Sequence, residues 1–403
     1  MPTSLSPATI ALVKATAPAL VEHGKAITLA MYARLFEDDE VAALFNHSNQ
    51  GEHGAQVNAL SAAILSYAQN IDNLGALTSV VERIAQKHIG YHILPEHYPH
   101  VAAALLGAIK DVLADVATDE ILVAWGEAYW FLAGIMTARE TAIRGEIEND
   151  PGGWRGWRPF VVAKKVRESA IITSFLLRPQ NGGTVAPHKA GQYLTFRFDV
   201  PGQGPLKRTY SISSAANGRT YRISVKRETY GLGSGWLHDN ITEGDVVLAT
   251  PPAGDFFLPK SPARPIILLS GGVGLTPMVS MLETIAELHP GLETHYVHGT
   301  LNSTTHAMSA HVREVAARHG TARVSTFYED PCEADEEGHT HDVTGRISLE
   351  WLRRHTSLDA ADVYLCGPTP FLRFFVNELI KAGVPQARIH YEFFGPADSL
   401  LAA

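Results

Sequence analysis

Apolar residues recur with different periods in different parts of this 403-residue chain, and each change of period predicts a change of architecture. In residues 1 to about 145 they return every three or four positions, as at Ile10, Val13 and Ala17, which is typical of amphipathic helices. Ser6 and Pro7 mark a helix start, because a hydroxyl cap is followed by proline at the first helical position. We predict no strand in this part of the chain.

The period shortens to two beyond a polar stretch rich in glycine at residues 149–157. Leu194, Phe196 and Phe198 alternate with polar neighbours, and similar runs follow with turn residues between them. This pattern predicts an antiparallel sheet or a small barrel that ends near residue 260.

Short apolar runs then alternate with helical patterns up to the end of the chain, which predicts a parallel α/β sheet. Gly383 follows the last helical pattern and is expected to end that helix. We predict strands at 266–269, 294–298, 323–328 and 362–366 and helices at 277–288, 307–318 and 369–382.

Together the patterns predict a multi-domain chain, in which an all-α domain precedes an antiparallel β-barrel domain and an α/β domain with a parallel sheet. The expected boundaries are 1–145 for the helical domain, 146–154 for a linker, 155–262 for the barrel and 263–403 for the α/β domain.

Composition narrows the class of protein. A net charge of −9 is mild for this length and argues against nucleic-acid binding. Two cysteines, Cys332 and Cys366, exclude a disulfide framework and favour a reducing compartment, with the cytoplasm as the default. No basic segment with an apolar core opens the sequence, and no uninterrupted apolar run reaches roughly 18 residues, so we expect neither a signal peptide nor a membrane span.

The acidic loop 329–342 contains His339 and His341, and we interpret it as solvated rather than as a metal site.

The segment 265–277 carries the clearest chemical signal. A buried strand leads directly into Gly271, Gly272 and Gly274, and Thr276 with Pro277 then opens a helix. Glycines let the backbone approach a diphosphate, and a helix N-terminus offers unpaired N–H groups and a positive dipole end. The pattern is G-x-G-x-x-P rather than the dinucleotide fingerprint G-x-G-x-x-G, so a turn without a ligand stays an alternative.

Other motifs follow one another in a fixed order along residues 155–403. They are R-x-Y-S at 208–211, a glycine turn with serine at 231–234, C-G-P at 366–368 and E-F-F-G-P at 392–396. Each is weak alone, but their order resembles that of the ferredoxin-reductase-like flavoenzymes. The resemblance implies that the barrel binds FAD and that the α/β domain binds NADH or NADPH.

By position, the resemblance implies a set of cofactor-binding residues. One departure is Gly233, which stands where we expect a branched apolar residue and which would loosen the diphosphate turn. Residues 298–303 offer no cation for the extra phosphate of NADPH, which favours NADH. The implied FAD contacts are Tyr193, Arg208, Thr209, Tyr210, Ser211 and Ser234, with Phe393, Phe394, Gly395 and Pro396 at the chain end, where Phe394 packs against the flavin. The implied nicotinamide-nucleotide contacts are Gly272, Val273, Gly274, Leu275, Thr276, Pro277 and Cys366.

A reductase needs an electron acceptor, and the helical part offers one candidate. His88 shares a helix face with Ile84, so its ring is expected to point inward. A histidine on an apolar face is usually a satisfied core residue, but beside a reductase it is also a candidate haem ligand. Glu140 continues the apolar stripe of Tyr129 and Met136, and a carboxylate buried there would need a partner.

Several segments of the helical part, at 31–46, 56–60, 84–88, 95–98 and 124–129, resemble a bacterial globin. With the reductase behind it, nearly the whole chain resembles a bacterial flavohaemoglobin, a family that acts as a nitric oxide dioxygenase. The resemblance implies that His88 is the proximal ligand of haem b, with Tyr98 and Glu140 as its partners behind the iron. It places Tyr32 and Gln56 on the distal side, with Phe45 and Leu60 as pocket walls, and it places Lys87 and Glu392 between haem and flavin, where their charges would tune both potentials.

The expected function is conversion of nitric oxide and dioxygen to nitrate, with electrons passing from NAD(P)H through FAD to haem. One alternative is an oxygen- or nitric-oxide-binding store or sensor whose reductase keeps the iron ferrous. A second is a helical docking module without haem. The expected partners are small molecules, namely nitric oxide, dioxygen and NAD(P)H. We expect a monomer without a nucleic-acid partner, and lipid binding in the distal pocket is left open.

Overall fold

The computed structural model describes residues 4–45, 55–202 and 204–394. These residues form two compact units, one within residues 4–146 and the other within residues 147–394. The predicted Gly395 and Pro396 lie outside the described residues.

The first unit is built from helices, and its described residues contain no strand, as predicted. The hydroxyl of Ser6 accepts from the backbone N–H of Thr9 at 3.0 Å and so caps the first helix where the sequence predicted it. The apolar spacing of Ile10, Val13 and Ala17 continues past the end of this helix at Ala15, and Ala17 opens a second helix. The helices are α1 (Pro7–Ala15), α2 (Ala17–Leu35), α3 (Asp39–Ala42), α4 (Ala55–Gln69), α5 (Thr78–Tyr91), α6 (Tyr98–Leu113) and α7 (Asp119–Asn149), with short 3-10 turns at Leu74–Leu77, Pro95–His97 and Ala114–Val116.

Among the described residues, α7 alone is long and apolar enough to cross a membrane, judged by length and composition. Core helices of globular proteins meet the same criterion. Here α7 contributes Ala124, Trp125 and Ala128 to the helical core and carries the fully buried carboxylate of Glu140. One side of α7 therefore packs into the helical core.

The second unit begins with a curled antiparallel sheet, which confirms the predicted alternation of apolar and polar residues. Phe160, Phe175, Phe196 and Tyr221 are almost completely buried in its core. The strand order is β4-β3-β6-β1-β2-β5, and every neighbouring pair is antiparallel. The strands are β1 (Arg158–Arg167), β2 (Ile172–Pro179), β3 (Tyr193–Val200), β4 (Gly204–Ser211), β5 (Tyr221–Lys226) and β6 (Val246–Ala249), with α8 (Leu232–Asn240) between β5 and β6.

A parallel sheet follows, with strand order β10-β9-β8-β7-β11-β12. All four predicted strands and all three predicted helices are present, whereas β10, β12 and α11 are short and were not predicted. The strands are β7 (Ile266–Gly271), β8 (Thr294–Thr300), β9 (Ala322–Tyr328), β10 (Val343–Thr344), β11 (Asp362–Cys366) and β12 (Ile389–Glu392), and the helices are α9 (Leu275–Leu288), α10 (Ser309–His319), α11 (Leu349–His355) and α12 (Thr369–Lys381).

The acidic loop 329–342 differs from the prediction at one of its two histidines. His339 is exposed, but His341 is only 1% exposed, so describing it as solvated was wrong. Its ring stacks on Tyr328 with centroids 4.5 Å apart, and its Nε2 lies 2.8 Å from the Thr344 hydroxyl. No group of three or more metal-binding side chains occurs in the described parts of the chain.

Candidate functional site

Three helices bring His88, Tyr98 and Glu140 together, as the resemblance implied. His88 lies on α5, Tyr98 opens α6 and Glu140 lies on α7. The His88 Nδ1 lies 2.7 Å from Glu140 Oε1, and the Tyr98 hydroxyl donates to the same oxygen at 2.6 Å. The two donors are themselves 3.2 Å apart. One carboxylate oxygen therefore holds both side chains.

Glu140 is completely buried, and a cation lies beside its second oxygen. Its side chain is 0% exposed, and the Arg144 guanidinium lies 3.6 Å from its second oxygen. Arg144 also donates to the backbone carbonyl of Ile93, which anchors the cation. Burial, together with the hydrogen bond and charge of Glu140, raises the pKa of Tyr98 well above its ordinary value, so the phenol stays neutral and donates. The hydroxyl of Tyr129 completes the group by donating to the Tyr98 carbonyl at 2.8 Å.

The geometry at His88 fits a haem iron. Because Nδ1 faces a carboxylate, it carries a proton, and Nε2 is the nitrogen that can bind a metal. In the described part of the chain nothing hydrogen-bonds Nε2, and the His88 side chain is 30% exposed. A neutral imidazole with a carboxylate behind it is a donor set that haem proteins use.

The predicted distal residues also lie together. Tyr32 is buried on α2, its ring stacks on Phe36 at 5.5 Å between centroids, and Phe45 meets it edge-on at 5.7 Å. Burial raises the pKa of Tyr32 to about 12, although a side-chain hydrogen bond with Gln56 lowers it in part. Leu60, one turn after Gln56 on α4, packs against the same core. The cluster therefore presents a neutral phenol among apolar side chains.

Five of the ten residues predicted to bind FAD occupy one strand pair of the antiparallel sheet. Tyr193 opens β3 and pairs with Ser211 at the end of β4. The Tyr210 ring packs against Phe196, and Arg208 donates to the carbonyl of Lys207 at 2.8 Å. Thr209 is exposed on the same strand. Their roles toward FAD stay predictions.

The glycine turn before α8 is closed by Ser234. Its hydroxyl donates to the Gly231 carbonyl at 3.2 Å and accepts from the Glu228 N–H at 3.1 Å, so it shapes the turn. A side chain at Gly233 would place Cβ 2.8 Å from Cγ of Arg208. The Arg208 side chain therefore lies against the position that a Cβ of residue 233 would occupy.

The glycine-rich segment after β7 has the strand–turn–helix geometry that the sequence predicted. Gly272 has a φ of 54°, and a Cβ on Gly274 would lie 2.1 Å from the Cys366 carbonyl oxygen. Only glycine allows this contact between the turn and the end of β11. The Thr276 hydroxyl donates to the Val273 carbonyl at 3.1 Å. The remaining predicted residues of this segment, Leu275 and Pro277, are buried in the first turn of α9.

Cys366 is completely buried, and it pairs with Glu392 across β11 and β12. Burial first, and then the charge of Glu392, raise the pKa of the thiol well above its ordinary value. Phe393 is half-buried, whereas Phe394 is 48% exposed. Lys87 is exposed in the first unit, and the potential-tuning role predicted for Lys87 and Glu392 stays a prediction.

Family models match parts of both units of the chain. The globin family model matches residues 29–136, and the model of the oxidoreductase NAD-binding domain matches residues 268–377. A flavohaemoprotein of Xylella fastidiosa (strain 9a5c) is 58% identical to this chain over 404 positions, which cover 100% of both chains. The chain belongs to the flavohaemoprotein family.

Solved structures of similar proteins extend over the same parts. The flavohaemoglobin of Malassezia yamatoensis, with bound FAD and haem, is 25% identical, with a TM-score of 0.86, and the alignment covers 98% of this chain and 100% of that one. The FAD/NAD-binding domain of a nitric oxide dioxygenase from Vibrio cholerae O1 biovar El Tor is 38% identical, with a TM-score of 0.55 over 59% of this chain and 99% of that one. This flavohaemoprotein thus combines a globin with an FAD/NAD reductase, and the predicted fold class is confirmed.

Sequence reasoning missed some residues around these sites. Arg144 lies one helical turn after Glu140, so the i,i+4 spacing of opposite charges could have indicated it. Glu283, Arg222 and His311 form a partly buried charged cluster in the second unit. Their separation along the chain gave no local signal.

Proposed function

We propose that this flavohaemoprotein is a nitric oxide dioxygenase that holds haem b and FAD and takes electrons from NAD(P)H, with NADH preferred. For each NADH, two nitric oxide and two dioxygen molecules become two nitrate ions, with NAD⁺ and one proton as the other products. The observation that carries the proposal is the His88–Glu140–Tyr98 cluster in a globin joined to a reductase. The Vibrio cholerae domain, named as part of a nitric oxide dioxygenase, supports it.

His88 would hold the haem through Nε2, and the haem when bound supplies the binding of dioxygen and its one-electron activation. The carboxylate of Glu140, at 2.7 Å from Nδ1, makes the imidazole a stronger electron donor. A globin that only stores oxygen does not need so basic a ligand. The buried carboxylate therefore favours oxygen activation.

On the other side of the pocket, Tyr32 would donate a hydrogen bond to a small diatomic ligand. With a pKa raised to about 12, the phenol keeps its proton at neutral pH. Gln56 would hold the Tyr32 hydroxyl through a side-chain hydrogen bond, and Phe36, Phe45 and Leu60 would surround it with apolar surface. A preorganised donor in a dry site stabilises developing negative charge more strongly than water does.

In the second unit, the turn at Gly272, Val273 and Gly274 would bind the diphosphate of NADH at the N-terminus of α9. Tyr193 and residues 208–211 would hold FAD on β3 and β4. The loop after β8 has no cation that would select the extra phosphate of NADPH, which supports NADH as the coenzyme.

The test is the aerobic consumption of nitric oxide by purified holoprotein, followed with an electrode while NADH absorbance and nitrate are measured. We expect two nitric oxide molecules to be consumed per NADH, with nitrate as the product. His88→Ala should abolish this activity and keep NADH–ferricyanide reduction, whereas His100→Ala, a half-exposed histidine on α6, should change neither. Wild-type protein that oxidises NADH without consuming nitric oxide would contradict the proposal and favour a gas-binding role.

A further inference from the structure

Glu283 lies on the helix that starts at the nicotinamide-nucleotide turn. From Thr276 to Glu283 is seven residues along α9, or about 10 Å of helix. Glu283 is not among the predicted cofactor contacts, yet its side chain is only 14% exposed. A carboxylate in this position needs partners, and it finds them on three other segments.

The partners of Glu283 come from the antiparallel sheet, from a loop and from a second helix. Arg222 on β5 donates to Oε1 at 2.6 Å, and His311 on α10 has its Nε2 2.6 Å from the same oxygen. The backbone N–H of Ala215 donates to Oε2 at 2.7 Å. Ala215 follows the predicted flavin contact Ser211 by four residues, so Glu283 links α9 directly to the segment that carries the flavin contacts.

A second contact lies on the same face of α9. Ser280, one turn before Glu283, donates its hydroxyl to the Ser214 carbonyl at 2.8 Å. The Ser214 carbonyl also lies 2.8 Å from Nε2 of His188. The neighbouring carbonyl, that of Ser213, accepts a hydrogen bond from the guanidinium of Arg222. Ser214 and Ala215 are thereby bonded directly to α9, and Ser213 is linked to it through Arg222.

The charges of this cluster compensate one another. Burial alone would raise the pKa of Glu283, but the bonds from His311, Arg222 and Ala215 outweigh it, and the pKa lies below its ordinary value. The carboxylate is therefore ionised. The Arg222 side chain is only 18% exposed. If Glu283 lost its charge, the Arg222 cation would stay poorly solvated and without its counter-ion, which is unfavourable. Neutralising Glu283 should therefore displace the partners rather than leave them where they are.

We propose that Glu283 is a positioning residue for hydride transfer, because it fixes the nicotinamide-nucleotide turn relative to the flavin-binding strands. The proposal rests on the reductase route of the proposed function. In this step NADH gives a hydride to oxidised FAD and becomes NAD⁺, while the reduced flavin takes up one proton from solvent. Reacting atoms must approach to about 3–3.5 Å, and a shift of about 1 Å can cost about a hundredfold in rate.

This role predicts that rate and affinity separate. Glu283 contacts Ala215, Arg222 and His311, and none of these is a predicted ligand of FAD or NADH. Neutralising it should thus leave each cofactor's own contacts in place and disturb only their mutual geometry. A residue that merely supports the fold would change flavin content or coenzyme affinity instead.

The experiment is anaerobic stopped-flow reduction of the flavin by NADH in full-length holoprotein, with the NADH concentration varied. We expect Glu283→Gln to lower the limiting reduction rate about tenfold or more, with FAD content and the Kd for NADH unchanged. NADH deuterated at the transferred position should show a full isotope effect in this variant. The matched control is Glu287→Gln, an exposed glutamate one turn further on α9, which should behave as wild type.

A milder variant decides the matter if Glu283→Gln does not fold. His311→Gln removes one partner whose side chain is 34% exposed, and it should lower the limiting rate in the same direction by a smaller factor. An unchanged limiting rate in the folded variants, or a raised Kd for NADH at an unchanged limiting rate, would overturn the proposal. Failure of NADH to reduce the wild-type flavin would instead overturn the proposed function.

Discussion

Replacement of Glu140 by glutamine tests the chemistry behind His88 most sharply. The substitution keeps the size of the side chain and an oxygen that can accept from His88 and Tyr98, and it removes only the negative charge. Glu140 is 0% exposed, so no solvent compensates for that loss. Arg144, 3.6 Å away, keeps its positive charge and would act in the same direction.

The magnitude follows from the hydrogen bond that loses its charge. A bond to a charged acceptor contributes about 1.5–3 kcal/mol, and the 2.7 Å distance from His88 Nδ1 to Glu140 Oε1 fits this class. Ferric iron carries one more positive charge than ferrous iron, so the carboxylate favours the ferric state. If about 2 kcal/mol of that preference is lost, the midpoint potential rises by about 90 mV, because about 1.36 kcal/mol corresponds to about 59 mV for one electron.

The assay is a spectroelectrochemical titration of the haem Soret band in the wild type and in Glu140→Gln. The control is Glu146→Gln, whose side chain is 67% exposed on the same helix. The control should keep the wild-type midpoint potential. As a second measurement, the iron–histidine stretching frequency should fall in Glu140→Gln and stay unchanged in the control. A Glu140→Gln protein with the wild-type midpoint would refute the reasoning, because the carboxylate would then have no electronic effect on the ligand.

Three further predictions follow from individual contacts. Tyr32→Phe should speed dioxygen release about five- to thirtyfold, since it removes a hydrogen bond of about 1–2 kcal/mol; laser photolysis of the oxygen complex measures this, and an unchanged rate would count against a distal role. Gly274→Ala should weaken NADH binding about tenfold or more in a fluorescence titration, because its Cβ would lie 2.1 Å from the Cys366 carbonyl, whereas Gly291→Ala meets open space and should bind as wild type. Burial lowers the pKa of His306 from 6.5 to about 4, so between these pH values the unfolded state binds more protons than the folded state. The free energy of unfolding should therefore decrease as the pH is lowered through this interval, by up to about 1.4 kcal/mol per pH unit from this residue. Urea titrations at stepped pH should show a smaller decrease in His306→Gln, and an equal decrease would contradict the assignment.

The fold was predictable wherever one local rule decided it. All four residues from 266 to 269 are apolar, because both faces of β7 are covered by other parts of the fold. A short continuous apolar run of this kind predicts a buried strand. The break between α1 and α2 was missed because the apolar spacing continues through it. Pro18 was the available signal, since it lacks the N–H that a continuous helix would use at that position. His341 was misjudged because only the folded chain brings Tyr328 against its ring.

The candidate sites divide in the same way. The helical spacing of His88 and Glu140 indicated that both point inward, but only the structure shows that Tyr98 donates to the same carboxylate oxygen. Glu283 could not be found from sequence, because Arg222 lies 61 residues before it and His311 28 residues after it. Contacts between residues so far apart depend on the tertiary fold and have no periodic pattern.

The central claim is that electrons from NADH reach an iron held by His88. Anaerobic addition of NADH to the purified holoprotein, followed by visible absorption, tests it most directly. We predict that the flavin band bleaches and that the Soret band then shifts from its ferric to its ferrous position, while His88→Ala shows only the flavin change. A Soret band that stays ferric in the wild type, or one that persists and shifts in His88→Ala, would contradict the claim.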